Sequence, residues 1–494
     1  MVLKKLKTPL FFTAVGLLYA LFPTNNSTED ALGYAANIKY GEDLFSPHHL
    51  LYNWFQYQIV KLASGLYGQV DVLNLTKFVN TFFALCCFLV QFRIFEKLNI
   101  RRNENLLLLS ITAFSFSFLR FGTENETYII PIAFSLVSTY FYLKTLLKPS
   151  FLSIFLASIF GSIACLFHQI HVFWWLGLLI GYLIYLKSWK YALAYISASL
   201  VVPIVYLMVM IYGRGDVITL ENFIHFVFFD FYRGSAKTEF GFINFVMLCI
   251  SIARSFFQVH ALILRLINAN GLFIIPLFVC MFSAAFAAWL VVKNQWLSKR
   301  EAMNDPFLKT SIFVIALQCL FALYAVGNVE FLVMIPVLVT FTLFYYFKFN
   351  LRLLVVLSCL LLTWNFSFWL FPSNKFRFFN DEVLVDYIVK HPGNMFLVAN
   401  PLVHNHVYYK TGIDNNEKIA VLANVQSDQV FDDLLLQHKE IYTDIIGKPR
   451  VFSRHNMVFN PLNLPDFHQY KVEPVFFYYG LYGKSSVHRI SLVQ

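Results

Sequence analysis

The sequence predicts an all-α polytopic membrane protein with a small α/β domain at its C-terminal end. Three observations carry that expectation. Of 494 residues, 58% are hydrophobic and only 13% are charged, whereas a soluble domain carries about 25% charged residues. Apolar runs near the roughly 20 residues that a membrane helix needs recur along the chain. After residue 372 the long runs stop, and short β-like stretches take their place.

The first apolar run, 8–23, follows Lys4, Lys5 and Lys7. It has no small-x-small cleavage pattern and many further runs follow, so it reads as a signal anchor that stays in the chain. Ten more runs follow at 73–95, 105–121, 127–147, 151–168, 170–187, 190–212, 272–292, 309–326, 329–348 and 351–371, which makes eleven. The stretch 240–267 is also apolar but holds Arg254 and Arg265. It is expected outside the membrane, as a re-entrant or surface-lying amphipathic element. The seven cysteines all lie in apolar runs and read as small hydrophobes, with no metal site implied.

Charge orients the spans, because short cytoplasmic loops are rich in Lys and Arg. With the N-terminus inside, the inner loops hold seventeen bases against four acids, and the outer loops nine against twelve. The net charge of +10 is therefore a topology signal, and no nucleic-acid partner is implied. The C-terminal segment then lies outside. A helix is expected at 381–391, capped by Asn380 and ended near Pro392-Gly393. "MFLVAN", "KIAVLANV", "VEPVFFYY" and "HRISLV" read as strands, and 428–440 as a second helix.

This topology puts a set of polar residues at the outer surface. Glu29 and Asp30 follow the first span, and His48 and His49 lie in the same loop. Arg120, Glu124 and Glu126 sit in "RFGTENETY", His168 and His171 in "ACLFHQIHVFW". Arg214, Asp216, Asp230, Arg233 and Lys237 follow span seven, and Glu330 opens span ten. Each has an ordinary reading as well: "STED" fits a helix cap on Ser27 or Thr28, and two histidines are too few for a metal site. Ionisable groups near hydrocarbon are costly, however, so their joint placement points to a task.

The order of these pieces resembles the GT-C type of polyprenyl-phosphate-sugar-dependent membrane glycosyltransferases, the protein mannosyltransferase and aminoarabinose transferase-like superfamily. The likeness rests on the acidic pair Glu29-Asp30 after one span and on "GEDLFSPHHLLY" following it. It continues with Glu124 and Glu126 after span three, "VEFLVMIPVLV" at 329–339, and a tail opening "DEVLVDYIVKHPGNMFLVANP". Relatives often carry Asp as the first acid, so the choice between Glu29 and Asp30 stays open. The late helix often carries Arg or Lys where this chain has Glu330.

The resemblance implies a transmembrane catalytic domain over 1–372, with outer loops 24–72 and 213–270, and an extracytoplasmic α/β domain over 373–494. It implies transfer of a sugar from a polyprenyl-phosphate donor to a glycan, lipid or protein acceptor, within a bacterial cytoplasmic membrane. Asp30 or Glu29 would be the general base, with Glu124 or Glu126 positioning the acceptor or serving as a second carboxylate. Arg214, Arg233, Lys237 and His168 would meet the phosphate; His48, His49, Arg120, His171 and Glu330 complete the substrate-binding set. The aromatic loop 213–267 would hold the lipid tail or gate the cavity. No cofactor is required, and a divalent cation is compatible. Competing readings are a lipid-linked glycan polymerase or ligase, which leans on outer-loop arginines and a histidine, and a polytopic transporter or flippase.

Overall fold

A computed structural model describes residues 2–233, 240–259, 262–293, 297–300, 304–414, 416–422, 428–448 and 467–492. The chain forms two compact units. The first comprises Met1–Pro23, Asp43–Val259 and Ile274–Leu370; the second comprises Thr24–Glu42, His260–Phe273 and Phe371–Gln494.

The first unit is helical. Inside a bilayer the backbone has no water to bond, so an apolar run satisfies its own N–H and C=O groups by coiling. Among the described residues, eight helices are long and apolar enough to cross a membrane: Val72–Lys97, Ile129–Leu147, Gln169–Leu186, Trp189–Arg214, Gly271–Lys293, Asp305–Tyr324, Val329–Tyr346 and Leu351–Lys375. The runs 8–23 and 151–168 form the shorter apolar helices Lys7–Leu21 and Phe151–Phe167. The run 105–121 is helical but breaks into Arg102–Ala113 and Phe116–Phe121. The stretch 240–267 is two helices, Phe242–Phe256 and Leu262–Ala269. The former has 15 residues; at 1.5 Å per residue it reaches about 22 Å, short of a hydrocarbon core of about 30 Å.

Polar side chains tie these helices where lipid offers no hydrophobic drive. Gln91 donates to Thr112 Oγ1 (3.0 Å) and Thr340 Oγ1 (2.8 Å). The fully buried Asn365 donates to the Phe114 carbonyl (2.8 Å) and the Phe256 carbonyl (2.7 Å), and accepts from Gln258 N (2.9 Å). It thereby caps both the break at Phe114 and the end of the Phe242–Phe256 helix. Asn365→Leu, close in volume, leaves three buried backbone groups without this partner. At about 1–3 kcal/mol for each orphaned group, the variant is expected to melt well below the wild type in a detergent thermal-shift measurement. An unchanged melting point would show the three contacts to be dispensable.

Two contacts join segments that the charge count assigns to one side. Arg300 pairs with Glu104 at 2.5 Å, and Arg102 Nε donates to Thr8 Oγ1 at 2.7 Å. Short strands β1 (Leu297–Lys299) and β2 (Phe347–Phe349) pair antiparallel.

The second unit is built on a five-stranded sheet. Its strands are β3 (Met395–Val398), β4 (Ile419–Val421), β5 (Glu440–Thr443), β6 (Lys471–Gly480) and β7 (Gly483–Ser491), in the order β4-β3-β5-β7-β6. β3 pairs parallel with β4 and β5, while β7 pairs antiparallel with β5 and β6. All four residues of β3 are buried, as expected of a parallel strand covered on both faces. Phe396 and Val398 pack with Leu384, Val403 and Val407 on one face. Met395 and Leu397 pack with Phe431, Leu435 and Ile490 on the other.

Helices Glu382–Lys390 and Asp428–His438 lie where the sequence places them. Asp381 occupies the cap position of the former, and Asn380 adopts a left-handed φ of 62°. Two elements escaped the sequence reading: β5 and the helix Pro401–Thr411. The latter is capped by the Asn400 side chain on Leu402 N and closed by Gly412.

Candidate active site

The polar residues of the first unit converge on the loop between Phe121 and Ile129. Glu124 and Glu126 are 1% and 2% exposed, so their carboxylates are enclosed and not a wet turn. The Val72–Lys97 helix holds this loop. Asn80 Nδ2 donates to the Glu124 carbonyl (2.6 Å) and the Glu126 carbonyl (2.7 Å), and Thr81 Oγ1 donates to the Gly122 carbonyl (2.8 Å). Lys77, also buried, lies one turn earlier on the same helix.

From the other side comes the helix Tyr52–Tyr67. Tyr52 donates to Asn125 Oδ1 at 2.8 Å. Burial and the adjacent Glu126 carboxylate push its phenol far above the usual range, so it remains a donor. Next to it on the same chain stretch, His49 is fully enclosed. Burial and the neighbouring His48 hold its imidazole well below the ordinary value, hence neutral.

The histidines continue the array. His48 stacks edge-on against His49 with ring centres 4.2 Å apart, and lies 6.5 Å from His168. His48 Nδ1 meets Asp230 Oδ2 at 2.9 Å. His168 packs on Tyr128 at 5.1 Å, and Tyr128 donates to Glu330 Oε2 at 3.2 Å. His171 Nδ1 instead lies 2.8 Å from Ser135 Oγ and its ring stacks on Trp174, an interior packing role. Five separated stretches thus supply one connected set: His48 and His49, Glu124 and Glu126, His168, Asp230, and Glu330.

Other predicted residues lie elsewhere. Arg214 and Arg233 line an open groove with Asp216, His225, Phe226, Phe229 and Tyr232. Arg214 pairs with Asp216 at 2.7 Å and covers the Phe226 ring; Arg233 lies over Phe229. Arg120 stacks on Phe121 and Trp369, 4.8 and 5.8 Å from their ring centres. Lys237 is outside the described residues. Among the described residues, no three His, Cys, Asp or Glu side chains converge to hold a metal ion.

Glu29 and Asp30 belong to the second unit, in the first turn of the helix Glu29–Tyr40. Thr28 is the cap, accepting from Ala31 N at 3.1 Å, so the capping reading of "STED" is realised. Asp30 is exposed and Glu29 half-buried. A helix N-terminus favours the ionised carboxylate by up to about 1 kcal/mol. Burial and the charge of Asp30 outweigh it and raise Glu29 to about 7.

Sequence reasoning missed Lys77, Asn80 and Tyr52. The signal was present for two of them. Thr76, Lys77, Asn80 and Thr81 fall at i, i+3 and i+4 spacing in an otherwise apolar run, which puts a polar stripe on one helix face.

The helices long and apolar enough to cross a membrane, with an enclosed array of carboxylates, amides and imidazoles, define an integral membrane protein with a buried polar centre. No family model and no curated protein matches the chain. Among solved structures it is similar to ArnT from Cupriavidus metallidurans in the apo state, over 98% of each chain, at 10% identity and a TM-score of 0.45. The same protein bound to undecaprenyl phosphate gives 8% identity and 0.42 over 97% of each chain. The Archaeoglobus fulgidus oligosaccharyltransferase in complex with Zn and sulfate gives 9% identity and 0.39, covering 97% of this chain and 72% of that one.

Proposed function

We propose that the chain is an integral-membrane glycosyltransferase of the GT-C type, moving a sugar from a polyprenyl-phosphate donor to an acceptor on the extracytoplasmic side. The observation that carries this reading is the enclosed Glu124–Glu126 loop, braced by Asn80 beside Lys77 and continued by the histidines. Ionisable groups gathered beside hydrocarbon mark substrate sites more often than packing.

The chemistry asks little else. The sugar is activated by its phosphate. The acceptor oxygen bonds to the anomeric carbon as the carbon–phosphate oxygen bond breaks, and the phosphate leaves with the electron pair. One displacement inverts the anomeric centre. Glu29, in the second unit, is the proposed general base, since its value near 7 suits proton transfer at neutral pH. Glu124 and Glu126 position the acceptor. Lys77 and His168 offset charge on the departing phosphate, and the Arg214–Arg233 groove receives the lipid head.

The test is transfer from a panel of radiolabelled polyprenyl-phosphate sugars by the purified protein. Lys77→Met is expected to slow loss of label from the lipid by about 10²-fold or more. Failure to use any donor in the panel would sink the reading. The arginine groove with His225 favours a second one, a lipid-linked glycan polymerase or ligase. There, Arg214→Gln and Arg233→Gln would abolish product while Glu29→Gln would not.

A further inference from the structure

The helix Pro401–Thr411 has two working faces. Val403 and Val407 enter the core of the C-terminal sheet. Asn405, Tyr408, Tyr409 and Gly412, at i, i+3, i+4 and i+7, engage the helix Glu29–Tyr40. The Tyr40 and Tyr408 rings stack at 5.9 Å. Tyr40 OH and Lys39 Nζ both donate to the Tyr409 carbonyl, at 3.0 and 2.8 Å. Tyr408 OH donates to Glu42 Oε2 at 3.0 Å. At the other end, Asn405 Nδ2 donates to the main-chain carbonyl of Glu29 at 3.0 Å.

That last contact is specific. A helical carbonyl has two lone pairs and the helix ladder uses one, so the Asn405 amide takes the second. The residue four places on overlies this carbonyl, and here it is Gly33. A Cβ at Gly33 would stand 3.1 Å from Asn405 Nδ2, so the amide would have to give by a few tenths of an ångström. The missing side chain at position 33 and the amide at position 405 are thus one device.

We infer that Asn405 is a positioning residue for Glu29, and that the C-terminal sheet domain holds the Glu29 helix in place through the Pro401–Thr411 helix. This rests on the reading of Glu29 as the base for its bearing on catalysis; the positioning itself does not. Asn405 bonds the Glu29 residue through its main-chain carbonyl, while its Oδ1 lies 3.4 Å from His404 Nδ1 on its own helix, so its effect runs through how deeply the first turn, and with it the Glu29 carboxyl, is held. The charged neighbours are few. Asp30 adds negative charge from the same helix. The facing helix carries His404, His406 and Lys410, and Lys410 is engaged by Asp386 (2.6 Å) and Glu382 (3.8 Å). Burial lowers His406 to about 4, so it is neutral near pH 7.

The experiment titrates Glu29 directly in the full-length protein in detergent, by carbodiimide labelling across pH with peptide mass spectrometry. Wild type is expected to show a midpoint near 7. Asn405→Ala frees the first turn and lowers the midpoint by about one unit, or about fivefold less protonated Glu29 at pH 7. Gly33→Ala, which keeps Asn405 but displaces its amide, moves the midpoint the same way. Lys410→Met, on the same helix but away from Glu29, leaves it in place. Unmoved midpoints in both Asn405→Ala and Gly33→Ala overturn the inference, as does an equal shift in Lys410→Met, which would mean general loosening. A parallel transfer assay separates the two ideas. If the midpoint moves but the pH–rate profile does not follow, the positioning stands and Glu29 is not the base.

Discussion

Glu29→Gln is expected to lower transfer by about 10²- to 10⁴-fold, the range lost with a general base, while the protein inserts and elutes as wild type does. Asp30→Asn should behave differently. Asp30 is exposed, and its charge is the second cause, after burial, of the raised Glu29 value. Neutralising it eases ionisation of Glu29. The sign follows: the base works only when deprotonated, so the rate falls about tenfold per unit below its value. The wild-type acid limb is expected near pH 7, and Asp30→Asn is expected to move it to lower pH without abolishing transfer. A pH–rate profile of the three proteins checks both statements. A fully active Glu29→Gln removes this residue from the mechanism.

Gly327→Ala is expected to cost the most stability of any single small substitution in the first unit. Gly327 has a φ of +62°, a left-handed conformation that strains an L side chain by about 1–2 kcal/mol. A Cβ there would also lie 2.4 Å from the Met247 carbonyl carbon and 2.5 Å from Leu248 N, which are backbone and cannot rotate away. Overpacking of this kind costs about 1–3 kcal/mol more. The Phe242–Phe256 helix must shift to make room. That shift pulls on Asn244, whose amide donates to the Leu323 carbonyl at 2.9 Å. Size-exclusion profiles and melting curves in detergent should show a less stable or aggregated protein. A melting point within a degree of wild type would mean that this contact is looser than described.

Much of the first unit was legible because hydrocarbon allows few solutions. The 57 phenylalanines and many leucines recur in charge-poor runs of about 20 residues, and in hydrocarbon such a run satisfies its backbone by coiling. The break inside 105–121 was not legible. It depends on Asn365, 251 residues from Phe114, offering an amide to the carbonyl where that helix stops. In the second unit, β5 and the helix Pro401–Thr411 were missed for opposite reasons. "EIYT" is too short to stand out, and "PLVHNHVYYKT" has its apolar residues split between two partners, so no single periodic face appears.

The acidic and histidine positions were readable as residues near helix ends, but their grouping was not. His48, His168, Tyr128 and Glu330 come from four regions of the chain, and only packing brings their side chains within reach. His171 shows the converse: three places from His168, it turns to Ser135 inside the helical core. Arg120 likewise turns to aromatic rings.

Composition and run length by themselves determined that this is a many-span helical membrane protein with an α/β domain at its end, because the cost of exposing backbone to lipid and charge to hydrocarbon acts on each segment alone. Which carboxylates are enclosed, which histidines share an array and which helix carries Asn405 to Glu29 were decided only by tertiary structure. Those are contacts between side chains far apart in sequence, where a few ångströms settle whether a charge meets a partner, a ring or water.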